Sequence, residues 1–458
     1  MHAISILFGL TLSALAQDGA TLDTPPRSDG YRGIWYYNQP SNDEYKYKYS
    51  GGFATYPQQI APFAIYSREA GKTFFTFGGV SEDGSLLHLV SYFDHETKTV
   101  PRPAILLDKK TQDAHDNPAI QIDARGHLWI FSNAHGTARS AFISRSMEPY
   151  SIDRFEQVLE TNFSYSQPWF LEGRGFCFLH TRYGGGRRLY CQTSPNGRDW
   201  TEPTLLAAIE RGHYQVSWER DGGVGTAFNF HPQEVGLNAR TNLYYMQTRD
   251  GGRTWQNVQG RSLELPLTDI ENPVLVREFQ GEGRLVYLKT VQFTSAGHPV
   301  IVFLTSGGYE AGPKNDPRQW MTARWTGEEW VFHDITRSTH NYDFGSLYLE
   351  ADDQWRLIAP TEAGPQPFSA GGEIAMWISR DQGESWTKTK QLTKDSPRNH
   401  TYVRHPVNAH PDFYALWADG NGLERSESRL YFTDREGTAV WQLPVKMSKA
   451  TEPAVRLK

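Results

Sequence analysis

Seven times along this chain, short apolar strands flank a tight turn, near Gly71, Gly126, Gly173, Gly222, Gly281, Asp352 and Pro411. Successive turns lie 55, 47, 49, 59, 71 and 59 residues apart, each step long enough for a four-stranded sheet and its loops. One such sheet cannot bury both of its faces, so the copies must stack on one another and close into a ring. The spacing therefore predicts an all-β chain, a single seven-bladed β-propeller over residues 31–458. Composition agrees. Of the 458 residues 13% are aromatic, with 41 Gly and 26 Pro, a mix that disfavours long helices and supplies both turns and large packing side chains.

A second repeat lies in the loops. Ser379-Arg380-Asp381-Gln382-Gly383-Glu384-Ser385-Trp386 reads S-x-D-x-G-x-x-W, and Thr248 to Trp255 repeats it with Thr in first place. Ser194-Pro195-Asn196-Gly197-Arg198-Asp199-Trp200 is a version one residue shorter. These stretches resemble the Asp-box of sialidase-like propellers, a structural turn that says nothing about catalysis.

At the N-terminus, Ile4 to Ala16 is an apolar run ending in Ala14-Leu15-Ala16, which reads as a signal peptide over 1–16 followed by a polar leader over 17–30. No later stretch reaches the ~18 apolar residues of a membrane span, so a periplasmic or secreted protein is expected. The net charge of −6 predicts no nucleic-acid partner. Two Cys, at 177 and 191, exclude a disulfide scaffold; they flank the turn Gly184-Gly185-Gly186 and are either a cross-strand pair or two core thiols. GxSxG, HExxH, P-loop and strand-borne GxGxxG signatures are absent.

Residues equidistant from a hairpin turn face each other across its strands. About the turn at 125, His115 and His135 are each ten residues out and should sit side by side at the strand ends, as an acid–base pair, a metal pair or two satisfied turn residues. About 173.5, Tyr165 falls opposite Arg182; His180 shares the parity of Arg182, and Tyr183 has the opposite one. About 222, His213 and His231 are each nine residues out and offer half of a zinc site, or a structural pair. His340-Asn341-Tyr342-Asp343, His400 to His405 with Arg404, and Lys289 add polar and basic groups. A cavity rich in His, Arg and Lys in an acidic chain predicts an anionic ligand.

Together, Tyr31-Arg32-Gly33-Ile34-Trp35, Asn38 to Tyr45, Tyr49-Ser50-Gly51-Gly52, His115-Asp116-Asn117-Pro118, Ser132-Asn133-Ala134-His135-Gly136 and Arg240 to Tyr245 resemble the BNR-repeat propeller family. That family includes ulvan lyases and related α-L-rhamnosidases of rhamnosyl-glucuronate linkages. The resemblance implies a polysaccharide lyase in which two His, a Tyr and an Arg surround a uronate: His115, His135, Tyr165 and Arg182, with Tyr183 the rival tyrosine. His180, Tyr183, Lys289, Tyr342, Arg404, Gln58 and Gln59 are the candidate substrate contacts. The rhamnosidases carry a catalytic His in the segment matching Thr55 to Ile60, where this chain has Gln58 and Gln59 and no His. Rhamnosidase activity and sugar binding without turnover are the alternatives. The elimination requires no cofactor; a structural zinc or calcium is compatible with it, and an acidic polysaccharide is the expected partner.

Overall fold

The computed structural model describes residues 21–22, 24–352 and 354–457; the expected signal peptide and the first residues of the polar leader lie outside them. The described residues are all-β, short strands interrupted by three single-turn 3-10 helices. No helix among them is long and apolar enough to cross a membrane.

Several four-stranded antiparallel sheets follow one another along the chain, their strands pairing in sequence order. One comprises Ser164–Leu171, Gly175–Tyr183, Arg187–Ser194 and Thr204–Ala207; the next Gln215–Arg220, Gly223–Phe230, Thr241–Thr248 and Leu275–Arg277. Leu285–Phe293 to Trp330–Ser338 and Ser346–Leu349 to Thr387–Gln391 form two more. Pro118–Ile122 to Phe155–Thr161 form another, extended at its edge by Thr21–Leu22. The two-residue strand Arg32–Gly33 pairs on one side with Ser428–Thr433 and on the other with Lys72–Val80. It thereby joins the early sheet around Lys72–Val80 to the late sheet around Asn399–Arg404.

Burial falls from the inside of a sheet outward. Pro299–Ser306 is buried along its whole length and reads PVIVFLTS; the outermost Thr387–Gln391 is exposed throughout and reads TKTKQ. Strands buried on both faces need continuous apolar sequence, whereas lysines on a free edge discourage pairing with other chains. Large aromatics fill the space between sheets: Trp129, for example, packs with Phe131, Phe176 and Phe178. Each fully buried Trp removes roughly 200 Å² from water, on the order of 5 kcal/mol before ordering entropy is subtracted.

Six of the expected turns join the first and second strands of a sheet. Gly281 does not: it lies between Leu275–Arg277 and Leu285–Phe293, and thus connects two sheets. The corresponding hairpin turns at Gly297, between Leu285–Phe293 and Pro299–Ser306. The insertion that misled the spacing is the long stretch between Thr248 and Leu275.

The S/T-x-D loops share one hydrogen-bond pattern. Asp250 accepts from the N–H groups of Arg253 (3.0 Å) and Thr254 (2.9 Å), and Thr248 Oγ1 accepts from Gly252 N–H at 2.9 Å. Asp381 accepts from Ser385 N–H at 3.0 Å, and Ser379 Oγ from Gly383 N–H at 2.8 Å. The Gly252 φ of +98° suits only glycine, and a Cβ there would meet Cys191 Sγ at 2.9 Å and Cys177 Sγ at 3.1 Å. The two cysteines are free thiols with sulfurs 3.8 Å apart.

Candidate active site

Groups with chemistry gather where the chain enters the first strand of successive sheets. Asp113 caps the single turn Ala114–Asp116 by accepting His115 N–H at 3.1 Å. Its carboxylate also takes two imidazoles, His115 Nδ1 on Oδ1 at 2.5 Å and His135 Nδ1 on Oδ2 at 2.8 Å. The rings stack with centroids 4.1 Å and planes 18° apart. An ionised carboxylate only accepts, so both rings donate from Nδ1 and keep a lone pair on Nε2; this tautomer follows from the network. His115 uses its lone pair on the hydroxyls of Tyr56 and, at 3.3 Å, Tyr49. No hydrogen bond among the described residues occupies His135 Nε2. Its side chain is 23% exposed, against 4% for His115.

Polar packing underneath holds this pair. Asp116 receives Arg139 Nε at 2.8 Å and His135 N–H at 2.6 Å. Asn133 donates to Asn117 O at 2.7 Å and Ser166 Oγ at 2.8 Å, while Asn117 donates to Phe53 O at 2.9 Å and Tyr56 O at 2.6 Å. Three segments far apart in sequence are thus fixed under the histidines.

Beside them, Tyr183 pairs with Arg187 across the Gly184–Gly186 turn. The Tyr183 ring centroid is 5.8 Å from that of His135. The Arg187 guanidinium lies 5.3 Å from the Tyr183 ring and 5.2 Å from that of Tyr214. Arg240 sits 4.6 Å from the Tyr214 ring and donates to Tyr342 Oη at 3.0 Å. Tyr165 is buried behind them, its ring centroid 6.2 Å and 6.1 Å from the two histidines and 5.4 Å from Tyr214.

The electrostatics follow from this packing. Burial and the neighbouring His135 bring His115 down to about 4, so it is neutral in ordinary buffers. Burial pushes the Asp113 carboxyl up, but the two imidazoles outweigh it and hold the group well below the usual carboxylate range. Burial raises Tyr183 above 10, against the pull of Arg187, so its phenol keeps its proton. Tyr214 goes the other way: burial raises it, yet the guanidinium groups of Arg187 and Arg240 bring it below 10.

Of the residues expected from sequence, His115, His135, Tyr165, Tyr183 and Tyr342 meet in this region. Arg182 does not. Leu171 pairs with Gly175 and Gln167 with Leu179, so the hairpin is centred on 173 and not 173.5, and a bulge at Tyr165, with its left-handed φ of +54°, shifts the register again so that Ser164 pairs with Thr181. Arg182 instead lies 5.9 Å from the Tyr190 ring and donates to Gln192 at 3.4 Å. His180 shares that face, stacked on Phe178 with centroids 4.6 Å apart. Lys289 is buried, 3.8 Å from the Phe344 ring, and donates to Asn341 O at 2.8 Å. Arg404 donates to Thr55 O at 2.7 Å and Gln58 Oε1 at 3.1 Å, which ties down the segment with Gln58 and Gln59; both glutamines are buried. These groups brace the interior rather than face the histidines. Arg187, Asp113, Tyr214, Arg240 and Lys48 were not expected from sequence.

A model of the BNR repeat-containing family matches residues 86–338. This chain belongs to that family. Among curated relatives of this BNR-repeat protein, an ulvan lyase of Nonlabens ulvanivorans is 24% identical over 83% of this chain and 88% of its own length. An ulvan lyase of Alteromonas sp. (strain LOR) is 23% identical over 82% and 84%. The fold matches a solved PL25 ulvan lyase with a TM-score of 0.72 at 16% identity, covering 91% of this chain and 96% of that one. The same comparison holds, at a TM-score of 0.71 and 16% identity over 91% and 96%, for a PL25 ulvan lyase bound to -[GlcA(1-4)Rha3S]-.

For metal binding, the BNR-repeat chain departs from the expected zinc pair. His213 Nδ1 donates to Asn229 O at 2.8 Å and its Nε2 accepts from Ile209 N–H at 3.0 Å, which leaves no nitrogen for a metal. His231 Nδ1 donates to Gly212 O at 2.9 Å. Among the described residues, two other groups bring three ligand atoms within 4.8 Å of one another: Asp113, His115 and His135, and His95, His410 and Asp412.

Proposed function

We propose that this protein is a secreted polysaccharide lyase that cleaves an ulvan-like, uronate-containing glycan by β-elimination. The observation that carries the reading is the meeting of His135, Tyr183 and Arg187 beside a histidine pair held by one carboxylate. The naming of the relatives as ulvan lyases supports it.

Each group has the property its step needs. Arg187 pairs with the uronate carboxylate, whose neutralisation acidifies the C5 proton. His135 Nε2 takes that proton, and Asp113 stabilises the imidazolium that forms. The electron pair of the C5–H bond becomes the C4=C5 double bond as the C4–O4 bond breaks. Tyr183, still protonated, gives its proton to the departing O4, and Arg187 stabilises the phenolate. His115 and Tyr165 are positioning groups behind this line. The step needs no metal or cofactor, and an acidic polysaccharide is the substrate.

The sheets read as blades of a seven-bladed propeller with Asp-box turns at Asp250 and Asp381. Chain-ordered pairing supports this, as do the Arg32–Gly33 strand that joins early and late sheets and the parallel bridge between Ile65 and Val407. The apolar run from Ile4 to Ala16 supports export.

The test is incubation with ulvan, glucuronan and related glycans while ultraviolet absorbance and released sugars are followed. Unsaturated uronate products are expected. Free rhamnose without any rise in absorbance would overturn the lyase in favour of a glycosidase.

A further inference from the structure

A second group of metal-ligating side chains stands at the other end of the sheets from the histidine pair. His115 lies where the chain enters the strand Pro118–Ile122, whereas His410 and Asp412 lie in the turn between Asn399–Arg404 and Ala415–Gly420. His95 follows directly on Leu86–Asp94, and its N–H donates to Gly71 O at 3.0 Å, in the matching turn of the early sheet. The three residues therefore meet across the junction of the early and late sheets that Arg32–Gly33 joins. The elimination and the packing around Asp113 use none of them.

His95 is fixed by its neighbours. The Tyr66 and Phe93 rings stand edge-on to it, with centroids 5.2 Å and 5.0 Å away, and its Nε2 lies 2.8 Å from Thr73 Oγ1. Donation of Nε2–H to the Thr73 hydroxyl leaves a lone pair on Nδ1. That Nδ1 is buried and has no hydrogen-bond partner, which is costly unless a ligand meets it. The His410 ring lies against His95, centroids 3.8 Å and planes 41° apart. His410 carries its own lone pair on Nδ1, where it accepts Asp412 N–H at 3.1 Å, and Asp412 Oδ2 is 3.9 Å from the same nitrogen.

One ligand atom from each of the three lies within 4.8 Å of the others. Around a tetrahedral zinc such atoms stand about 3.3 Å apart, at bond lengths of about 2.0 Å, so small side-chain rotations close the set. Two imidazoles and one carboxylate favour zinc over calcium and magnesium, which take oxygen ligands. Lys98 is the competitor, because its ammonium contacts Asp412 Oδ2; but its side chain is 55% exposed, and such surface pairs contribute little. Lys98 and Asp412 also line a cavity of about 720 Å³, which admits the ion and a water as fourth ligand.

We propose that His95, His410 and Asp412 bind one zinc ion, which ties the early sheet to the late one at the end of the sheets away from the histidine pair. The ion binds only the folded chain, so its role is to stabilise that junction. The assignment stands apart from the lyase reading.

The test is calorimetric titration of chelator-stripped protein with zinc chloride, for the native chain, His95→Ala, His410→Gln and Asp412→Asn, and for His135→Ala, which breaks the other candidate group. Circular dichroism confirms that each variant is folded. The expected result is one zinc per native chain, bound about a hundredfold or more weaker in His95→Ala and His410→Gln and unchanged in His135→Ala. Zinc should raise the thermal midpoint of the native protein, calcium and magnesium should not, and the two histidine variants should lose the rise. Asp412 has a side chain 46% exposed, so Asp412→Asn decides the matter where a histidine variant misfolds. Absence of zinc binding overturns the site, as does binding that survives the substitutions at 95, 410 and 412. Zinc binding lost only in His135→Ala places the ion at Asp113 and overturns it equally.

Discussion

A carboxylate shared by two imidazoles makes Asp113 the residue on which the candidate site turns. In Asp113→Asn only one side-chain atom still accepts, so one ring loses its partner and its tautomer. We expect kcat to fall by about a hundredfold or more with the fold retained, read from the absorbance of unsaturated product. The neighbouring arginines separate cleanly: Arg187→Ala should lower kcat/KM about a hundredfold or more, whereas Arg182→Ala should stay close to the native value. Equal losses in both would return the role to Arg182. The same pair shows what could be read from sequence. Reflection about the turn at 125 placed His115 beside His135 because no bulge intervenes between turn and site. It failed for Tyr165 because the hairpin is centred on 173 rather than 173.5, with Leu171 opposite Gly175, and a bulge at the left-handed Tyr165 then shifts the register once more, which residue types do not announce. Arg187 was legible, since it and Tyr183 are equidistant from Gly185. Lys48 and Arg240 were not, because only the tertiary fold brings their strands together.

At the level of the element, the turns around Asp250 and Asp381 consist of hydrogen bonds from one carboxylate to its own loop. Asp250→Ala removes the acceptor for the Arg253 and Thr254 N–H groups. It should destabilise the protein by about 1–2 kcal/mol in denaturant unfolding and leave kcat unchanged. Most of these elements were legible in the sequence: strands flank all seven expected turns, and at six of them the two flanking strands pair in one sheet. The exception, Gly281, marks a link between sheets, because the long stretch before it hides the true period. Local turn chemistry says where the chain reverses and not which two strands the reversal joins.

Across the whole molecule, many histidines are buried and neutral. Burial is the leading cause in each case, bringing His115 and His400 down to about 4 and His180, His213 and His405 to about 3. In the unfolded chain they titrate near 6.5. Their contribution is therefore intact above 6.5 and declines as pH falls from there toward 3–4, because the unfolded state takes up protons that the folded state refuses. Melting temperatures should drop steadily between pH 7 and pH 4; a flat profile would contradict this burial. The closing strand Arg32–Gly33 has a different consequence. Where the same two residues stitch an early sheet to a late one, neither sheet peels away from the other without opening that stitch. A cut in an outlying loop, such as the one at Asp381, would produce two fragments that still hold one another. The enzyme would outlast a single nick in a protease-rich surrounding and lose its shape only when the stitch itself opens.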